Sequence, residues 1–396
     1  MIEISEALRI IERETPKLGV EKIRLADSVG RVLAEEIEAD TDLPPFDRSQ
    51  MDGYAVVAAD TKHAPVALKV VGESAAGRGW HHTMKRGEAV RIMTGARVPV
   101  GADAVQRVEL TSGWEGQSVT IHESVEKGTS IVRQGAEVKK GTKIFADGIR
   151  VTENMISAIA SFGYSRLKVG KMPAISILAT GSEIVPIGRK PARDQIRNSN
   201  SVMLEVLCQG LGCPTETLPT PKDDIDDLKS KIQNLKSKIL IVTGGVSAGK
   251  YDLTKAALQE LGAQIFFEKV RLKPGKPAVF ARFGKTLVFG LPGNPVSAAV
   301  TFQLFVRKAI MLMQGASETD LKRGTAVLAS TAKAPRDRDA YIPSALSTDK
   351  HGRLLAMPLK SQGSSDFVGF SRADSLITLK RGTKREKGEV ADILFL

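Results

Sequence analysis

The sequence predicts a multidomain protein of mixed α/β and β character: a central α/β domain with a mostly parallel sheet, preceded by a β-rich module and followed by a small, β-barrel-like C-terminal domain. Three observations lead there. The chain has 396 residues, 42% hydrophobic and 26% charged, a globular profile long enough for several separate cores. Between residues 171 and 316, apolar runs end in glycine turns and lead into helical patterns, as a parallel sheet buried on both faces requires. On either side of that region, short alternating runs separated by Gly-containing turns mark β structure.

Residues 5–15 read as a short amphipathic helix with Ser5 as N-cap, and Leu33 to Ile37 continue an apolar pattern towards the Asp40-Thr41-Asp42 turn. This stretch, 1–43, together with 141–170, forms a helical linker region in which Thr152 caps a helix over 152–162 that stops at Gly163. The β-rich module covers 44–140, with strands at Val66 to Val71, Ala89 to Met93, Ala104 to Leu110 and Val119 to His122. In the α/β domain, 171–316, the strands are Ala174 to Ala179, Ile239 to Val242 and Thr286 to Phe289, with helices at 200–209, 252–261 and 296–313. The C-terminal β domain, 317–396, contains runs at Thr325 to Ala329, Ser375 to Leu379 and Val390 to Phe395. Ligands of open α/β sheets bind beyond the carboxyl ends of the strands, so the three glycine turns are expected to gather at one crevice.

Composition removes several function classes. The net charge of +12 would suit nucleic acid, but the basic residues are dispersed. Their densest group, Lys380, Arg381, Lys384, Arg385 and Lys387, has no interleaved aromatics and is diluted by Glu386 and Glu389, as on a solvated face. Small anionic substrates fit the same surplus. Cys208 and Cys213, without a nearby His, offer neither a disulfide framework nor a zinc shell, and a reducing cytoplasm is expected. The acidic start, Met1-Ile2-Glu3-Ile4-Ser5-Glu6, lacks a basic n-region, so no export is expected. The uncharged stretch from Thr286 to Val306 is broken by Gly290, Pro292, Gly293, Asn294 and Pro295 and is not expected to span a membrane.

The turns carry the chemistry. Thr243 to Asp252 follows a strand, and from Gly244 to Lys250 it partly matches a phosphate-binding P-loop, but Tyr251 stands where a magnesium-binding hydroxyl belongs. What remains is a backbone at Gly244 and Gly245 that an anion can approach, with Asp252 as a cation ligand or helix cap. Lys273-Pro274-Gly275-Lys276-Pro277 sets two ammonium groups on a stiff turn, a repulsive arrangement that an oxyanion would relieve. Gly290 to Pro295 forms a rigid ledge. Glu183, after Thr180-Gly181-Ser182, can ligate Mg²⁺ or pair with a helix N-terminus. Asp52-Gly53 reads by itself as hairpin chemistry, and Thr94-Gly95 as a hydroxyl beside a turn. The five histidines suggest no nucleophilic arrangement.

Taken in order, these motifs resemble the molybdopterin molybdenumtransferase family, which includes the C-terminal domain of gephyrin. The matching segments are Pro44 to Val56, Ile92 to Val98, Gly101 to Val105, Thr180 to Glu183, Ile196 to Leu204, Thr243 to Asp252, Lys273 to Pro277, Leu291 to Ala298 and Ser361 to Ser364. The resemblance implies a central domain like that of the molybdopterin adenylyltransferases. It also implies an elongated homodimer with its active cleft at the subunit interface, where Asp52 and Thr94 act in trans. The implied reaction combines adenylylated molybdopterin with molybdate, uses Mg²⁺, and yields molybdenum cofactor and AMP. Molybdopterin adenylyltransferase and molybdoenzyme-maturation proteins are the partners implied.

By motif match, Glu183 and Asp252 organise metal or nucleotide, with Asp223 or Asp224 as a further acidic position. Lys273 and Lys276 neutralise phosphate or molybdate. Gly244, Gly245, Ser247, Pro292, Asn294, Pro295 and Ser364 contribute to the pterin-nucleotide site. This chain departs from the family at Arg48 and Ser182, and at Pro343, which stands where the family carries an arginine that helps hold molybdate. Arg338, Arg353 and Arg372 are candidate substitutes. The alternative reading is a catalytically altered paralogue, either tungstate-preferring or a scaffold that binds molybdopterin nucleotides.

Overall fold

The computed structural model describes residues 1–221, 224–244, 253–359 and 366–396. The chain divides into two compact units, one of 1–35, 147–156 and 165–396, the other of 36–146 and 157–164.

The larger unit contains a six-stranded sheet in the spatial order Thr215–Thr217, Ile175–Ala179, Ile239–Thr243, Thr286–Leu291, Pro277–Phe283, Gln264–Lys269. The first four strands run parallel, Pro277–Phe283 runs antiparallel to them, and Gln264–Lys269, antiparallel to Pro277–Phe283, returns to the direction of the first four. The Pro277–Phe283 and Gln264–Lys269 strands were not anticipated from sequence. A leading proline and mixed charge hide the apolar run, although pairing with Thr286–Leu291 buries its centre.

Side chains alternate between the faces of the sheet. Ile175, Ile177, Ile239, Ile241, Leu287 and Phe289 join one core, whereas Leu178, Leu240, Val242 and Val288 face Leu228, Ile232, Ala257 and Leu258. The first core also takes the helix Ile4–Glu14, whose Ile4, Ala7 and Ile11 share a face. Its N-cap is Glu3, without a side-chain cap bond, so Ser5 lies inside the helix. Residues Pro295–Met313 form a continuous helix containing a π-turn at Phe302–Val306. By length and composition it could cross a bilayer, but it lies mostly buried in the chain's own core.

In the expected helical linker region, the helix Ile156–Ser161 follows a single 3₁₀ turn, and the region also contains strands: Val20–Arg24 pairs antiparallel with Arg166–Gly170. The strand Val20–Arg24 has the alternating exposure expected of one sheet face.

The C-terminal strands close on themselves in the order Asp339–Thr348, Leu354–Pro358, Arg323–Leu328, Val390–Phe395, Ser375–Leu379, the last pairing back to the first. This closed barrel surrounds a core of small and branched residues including Ala326, Leu328, Ala356, Ile377 and Ile393. Its longest strand, Asp339–Thr348, escaped the sequence reading because Pro343 sits in its middle, where a proline argues against a strand. The two-residue strand Leu272–Lys273 pairs with this strand, matching Lys273 to Ala340. The basic C-terminal stretch is largely ion-paired: Lys380 reaches Asp339 at 2.9 Å, Arg381 reaches Glu3 at 2.8 Å and Lys384 reaches Glu386 at 2.6 Å.

The smaller unit is built on a five-stranded sheet in the order Ala104–Arg107, Gly53–Val56, Glu88–Ile92, Val66–Ser74, Ser118–Ile121. Tyr54, Val56, Leu68, Val119 and Ile121 fill one of its cores. Asp52-Gly53 does not form the hairpin its composition suggests. The flanking strands belong to different sheets, Arg48–Ser49 pairing with Ile131–Val132 and Gly53–Val56 with Glu88–Ile92 and Ala104–Arg107.

Candidate active site

Three parallel strands of the larger unit end level with one another, with Ala179, Thr243 and Leu291 in one register row. The turns beyond them therefore gather, as expected beyond the carboxyl ends of a parallel sheet. Thr180 N–H donates to the Thr243 carbonyl at 3.0 Å, and Gly244 N–H to the Leu291 carbonyl at 3.2 Å. Gly244 adopts φ +87°, and a Cβ there would lie 2.6 Å from the Thr180 carbonyl oxygen, so the two turns touch backbone to backbone. The exposed Glu183 folds its carboxylate back over Gly181.

Asn200 ties these turns to the Pro292-Gly293 ledge. Its Nδ2 donates to Thr243 Oγ1 at 2.9 Å and to the Gly293 carbonyl at 2.7 Å. Its Oδ1 is buried without a hydrogen-bond partner among the described residues. No role was assigned to Asn200 individually from sequence, although it lies in the Ile196 to Leu204 segment. A polar residue at a helix start ordinarily reads as a cap, and here Asn198 fills that position by accepting from Ser201 N–H at 3.1 Å.

On the far side of the ledge lies a cavity of about 470 Å³. One wall comes from the Lys273-to-Pro277 turn, Pro292, Asn294 and the start of the helix at Val296 and Ser297. The opposite wall comes from the barrel and includes Lys333, Arg338, Tyr341, Ile342 and Pro343, with Asp366 and Phe370. Among the described residues, four cationic side chains thus line the cavity with one carboxylate, that of Asp366. Asp366 accepts the Gly369 N–H at 2.9 Å as a helix cap. Lys273 and Lys276 are exposed on a turn held by Gly275, where φ is +117° and a Cβ would meet Thr301 Cγ2 at 2.6 Å. The helix beginning at Pro295 adds backbone N–H groups to a wall already suited to an anion.

In the smaller unit, the Asp52 and Thr94 segments adjoin through the pairing of Gly53 with Ile92. Asp52 Oδ1 accepts the Thr94 backbone N–H at 2.6 Å. Nearby, burial would raise the Asp47 pKa, but the Gln134 N–H at 2.8 Å and Arg133 at 2.5 Å outweigh it and hold the carboxyl below its ordinary value.

Comparison with known proteins identifies this assembly. Three family models match in chain order: MoeA N-terminal region (domain I and II) over residues 2–163, a probable molybdopterin binding domain over 176–311, and MoeA C-terminal region (domain IV) over 325–396. A molybdopterin molybdenumtransferase of Bacillus subtilis (strain 168) is 34% identical over 405 residues, covering 100% of this chain and 94% of the relative. The chain belongs to the molybdopterin molybdenumtransferase family. A namesake from Staphylococcus aureus (strain COL) is 32% identical over 402 residues, covering 99% of this chain and 95% of the relative. The crystal structure of the molybdopterin biosynthesis MoeA protein from Pyrococcus horikoshii OT3 superposes with a TM-score of 0.85 at 27% identity, each chain covered in full at 100%.

Within this molybdenumtransferase, the cavity brings together Lys273, Lys276, Pro292 and Asn294. Pro295 opens the adjoining helix. Glu183 and Gly244 belong to the strand-end turns and are not among the residues lining the cavity. Asp224 caps the helix Ile225–Gln233, accepting from Asp226 N–H at 3.1 Å. Gly245, Ser247, Asp252, Asp223 and Ser364 lie outside the described residues. Among the described residues no three His, Cys, Asp or Glu side chains converge as a metal site. Lys333, Tyr341 and Asp366 were missed from sequence. Lys333 has no local signal, being one cation among 57 Lys and Arg residues.

Proposed function

We propose that this chain inserts molybdate into adenylylated molybdopterin with Mg²⁺, yielding molybdenum cofactor and AMP. Family membership supports the coarser part of this reading, a transferase acting on molybdopterin in molybdenum cofactor biosynthesis. The observation that carries the finer part is the cavity lined, among the described residues, by the cations Lys273, Lys276, Lys333 and Arg338 and the carboxylate of Asp366, beside a ledge continuous with the strand-end crevice. A phosphate-bearing substrate and a tetrahedral oxyanion repel each other, and a preorganised cationic wall lowers the free energy of holding both.

Glu183 and Asn200 Oδ1, which has no hydrogen-bond partner among the described residues, are hard oxygen donors near the ends of the parallel strands. They fit Mg²⁺, which takes one or two carboxylates together with phosphate oxygens and water. When bound, the ion supplies charge neutralisation at the phosphates. The residues themselves bind and orient: the ledge and glycine turns offer backbone to the nucleotide, and the lysines hold the oxyanion. We further propose a cytoplasmic homodimer in which Asp52 and Thr94 of one subunit complete the cleft of the other.

The test is incubation of the purified full-length chain with adenylylated molybdopterin, molybdate and Mg²⁺. AMP release that depends on molybdate is the expected result. Its absence at every molybdate concentration overturns the reading.

A further inference from the structure

We propose that Asn200 is a positioning residue: its side-chain amide ties the Pro292-Gly293 ledge to the end of the central strand, and so sets the spacing between the strand-end crevice and the cavity. The inference rests on the transferase reading above and deepens it, by naming a residue that carries no charge and does not line the cavity.

Three consecutive ledge carbonyls are each held by a donor from outside the ledge. Leu291 O accepts from Gly244 N–H at 3.2 Å, Pro292 O from Thr243 Oγ1 at 3.4 Å, and Gly293 O from Asn200 Nδ2 at 2.7 Å. Asn200 Nδ2 also donates to Thr243 Oγ1 at 2.9 Å, which closes a loop of hydrogen bonds around the strand end. The first two donors follow the strand that already pairs with Thr286–Leu291. Asn200 comes from a third element, the helix Ser199–Gln209, whose Leu204 and Cys208 are anchored in the sheet core. On the other side of the ledge, Pro292 and Asn294 wall the cavity. A ledge released from Asn200 therefore shifts one wall of the cavity relative to the crevice.

The residue type suits this task. A carbonyl only accepts, so the amide nitrogen faces Gly293, and its two hydrogens serve both partners at once. A hydroxyl would bring one hydrogen, and a carboxylate would set a negative charge against the Gly293 carbonyl oxygen. Asn200 is free for this role because Asn198 caps the same helix. The bonds at nitrogen also fix the amide plane, and with it the direction of the buried Oδ1. Where catalysis consists of holding two anionic reactants at one separation, a misplacement of about 1 Å costs about 100-fold in rate.

The experiment compares the full-length wild type with Asn200→Ala, Asn200→Asp and Asn198→Ala. Each is measured for binding of molybdate alone and of AMP alone, both without Mg²⁺, for the kcat of molybdate-dependent AMP release, and for hydrogen exchange over 290–297. Asn200→Ala is expected to keep both affinities within about threefold of wild type, to lose about 10- to 100-fold in kcat, and to exchange about tenfold faster at the ledge. Asn200→Asp should lose as much, because it keeps an oxygen but not the donor. Asn198→Ala should melt lower through the lost cap and keep wild-type kcat and ledge exchange. Wild-type kcat or ledge exchange in Asn200→Ala overturns the inference, as does wild-type kcat in Asn200→Asp or an equal fall in Asn198→Ala. A loss of affinity for either ligand alone as large as the loss in kcat overturns it too. If wild type releases no AMP, the transferase reading falls by itself, and ledge exchange alone then decides whether Asn200 sets the position of the ledge.

Discussion

Replacing Gly275 with alanine tests whether the lysine turn is held rigid by its packing. At φ +117° an L side chain is strained, at a cost of about 1–3 kcal/mol. The added Cβ would also lie 2.6 Å from Thr301 Cγ2 and 3.0 Å from Leu272 Cδ2. Thr301 cannot rotate away without loss, because its Oγ1 donates to Ser297 O at 2.7 Å and to Ala298 O at 3.1 Å. Overpacking of this kind costs about 1–3 kcal/mol, so the two effects together predict a destabilisation of about 2–6 kcal/mol. Displacing the turn would also carry Lys273 and Lys276 with it. The assay is a denaturant titration of Gly275→Ala beside wild type, with molybdate binding measured on the same samples. A midpoint and an affinity both equal to wild type would refute the reasoning, because the turn would then have absorbed a methyl group where no space is observed.

The remaining expectations separate binding from packing. Lys276→Ala, which removes an exposed side chain from the cavity wall, should stay within about 0.5 kcal/mol of wild-type stability while weakening molybdate use; a matched loss of stability would contradict this. Lys308 is 4% exposed and bridges Glu12 and Asp320 at 2.7 Å each, so Lys308→Ala should cost about 1–3 kcal/mol in a denaturant titration, the half-exposed carboxylates limiting the figure. Burial pushes the Cys213 thiol up to about 12 and raises Cys208 as well, so neither should react with iodoacetamide at mildly alkaline pH until the chain is unfolded. The same shifts make their contribution to stability complete below about pH 8.5, where the unfolded thiols are protonated, and progressively lost as pH rises towards the folded values. Denaturation midpoints measured between neutral and strongly alkaline pH check the sign.

Much of the sheet was legible in local pattern. Ile175–Ala179, Ile239–Thr243 and Thr286–Leu291 are apolar enough to be buried on both faces, and the glycine turns after them stand where a parallel sheet opens towards a ligand. Elements with contradictory local signals were lost: Asp339–Thr348 carries a central proline, and Asp52-Gly53 has the composition of a hairpin without the pairing. The Lys273 and Lys276 pair was visible as an anion-seeking turn because its charges adjoin along the chain. Lys333, Tyr341 and Asp366 were not, because they meet it only across the cavity.

By itself, the order of residues determined the strand and helix periodicities, the stiff turns and the ordered motifs of the family, all properties of short windows of chain. Only the tertiary structure decided that Leu272–Lys273 joins the C-terminal barrel, and that Arg338 rather than Arg353 or Arg372 lines the cavity with the two lysines. The reason is that barrel closure and strand register satisfy backbone hydrogen bonds between segments remote in sequence. Those bonds, more than any local preference, choose which charged side chains meet.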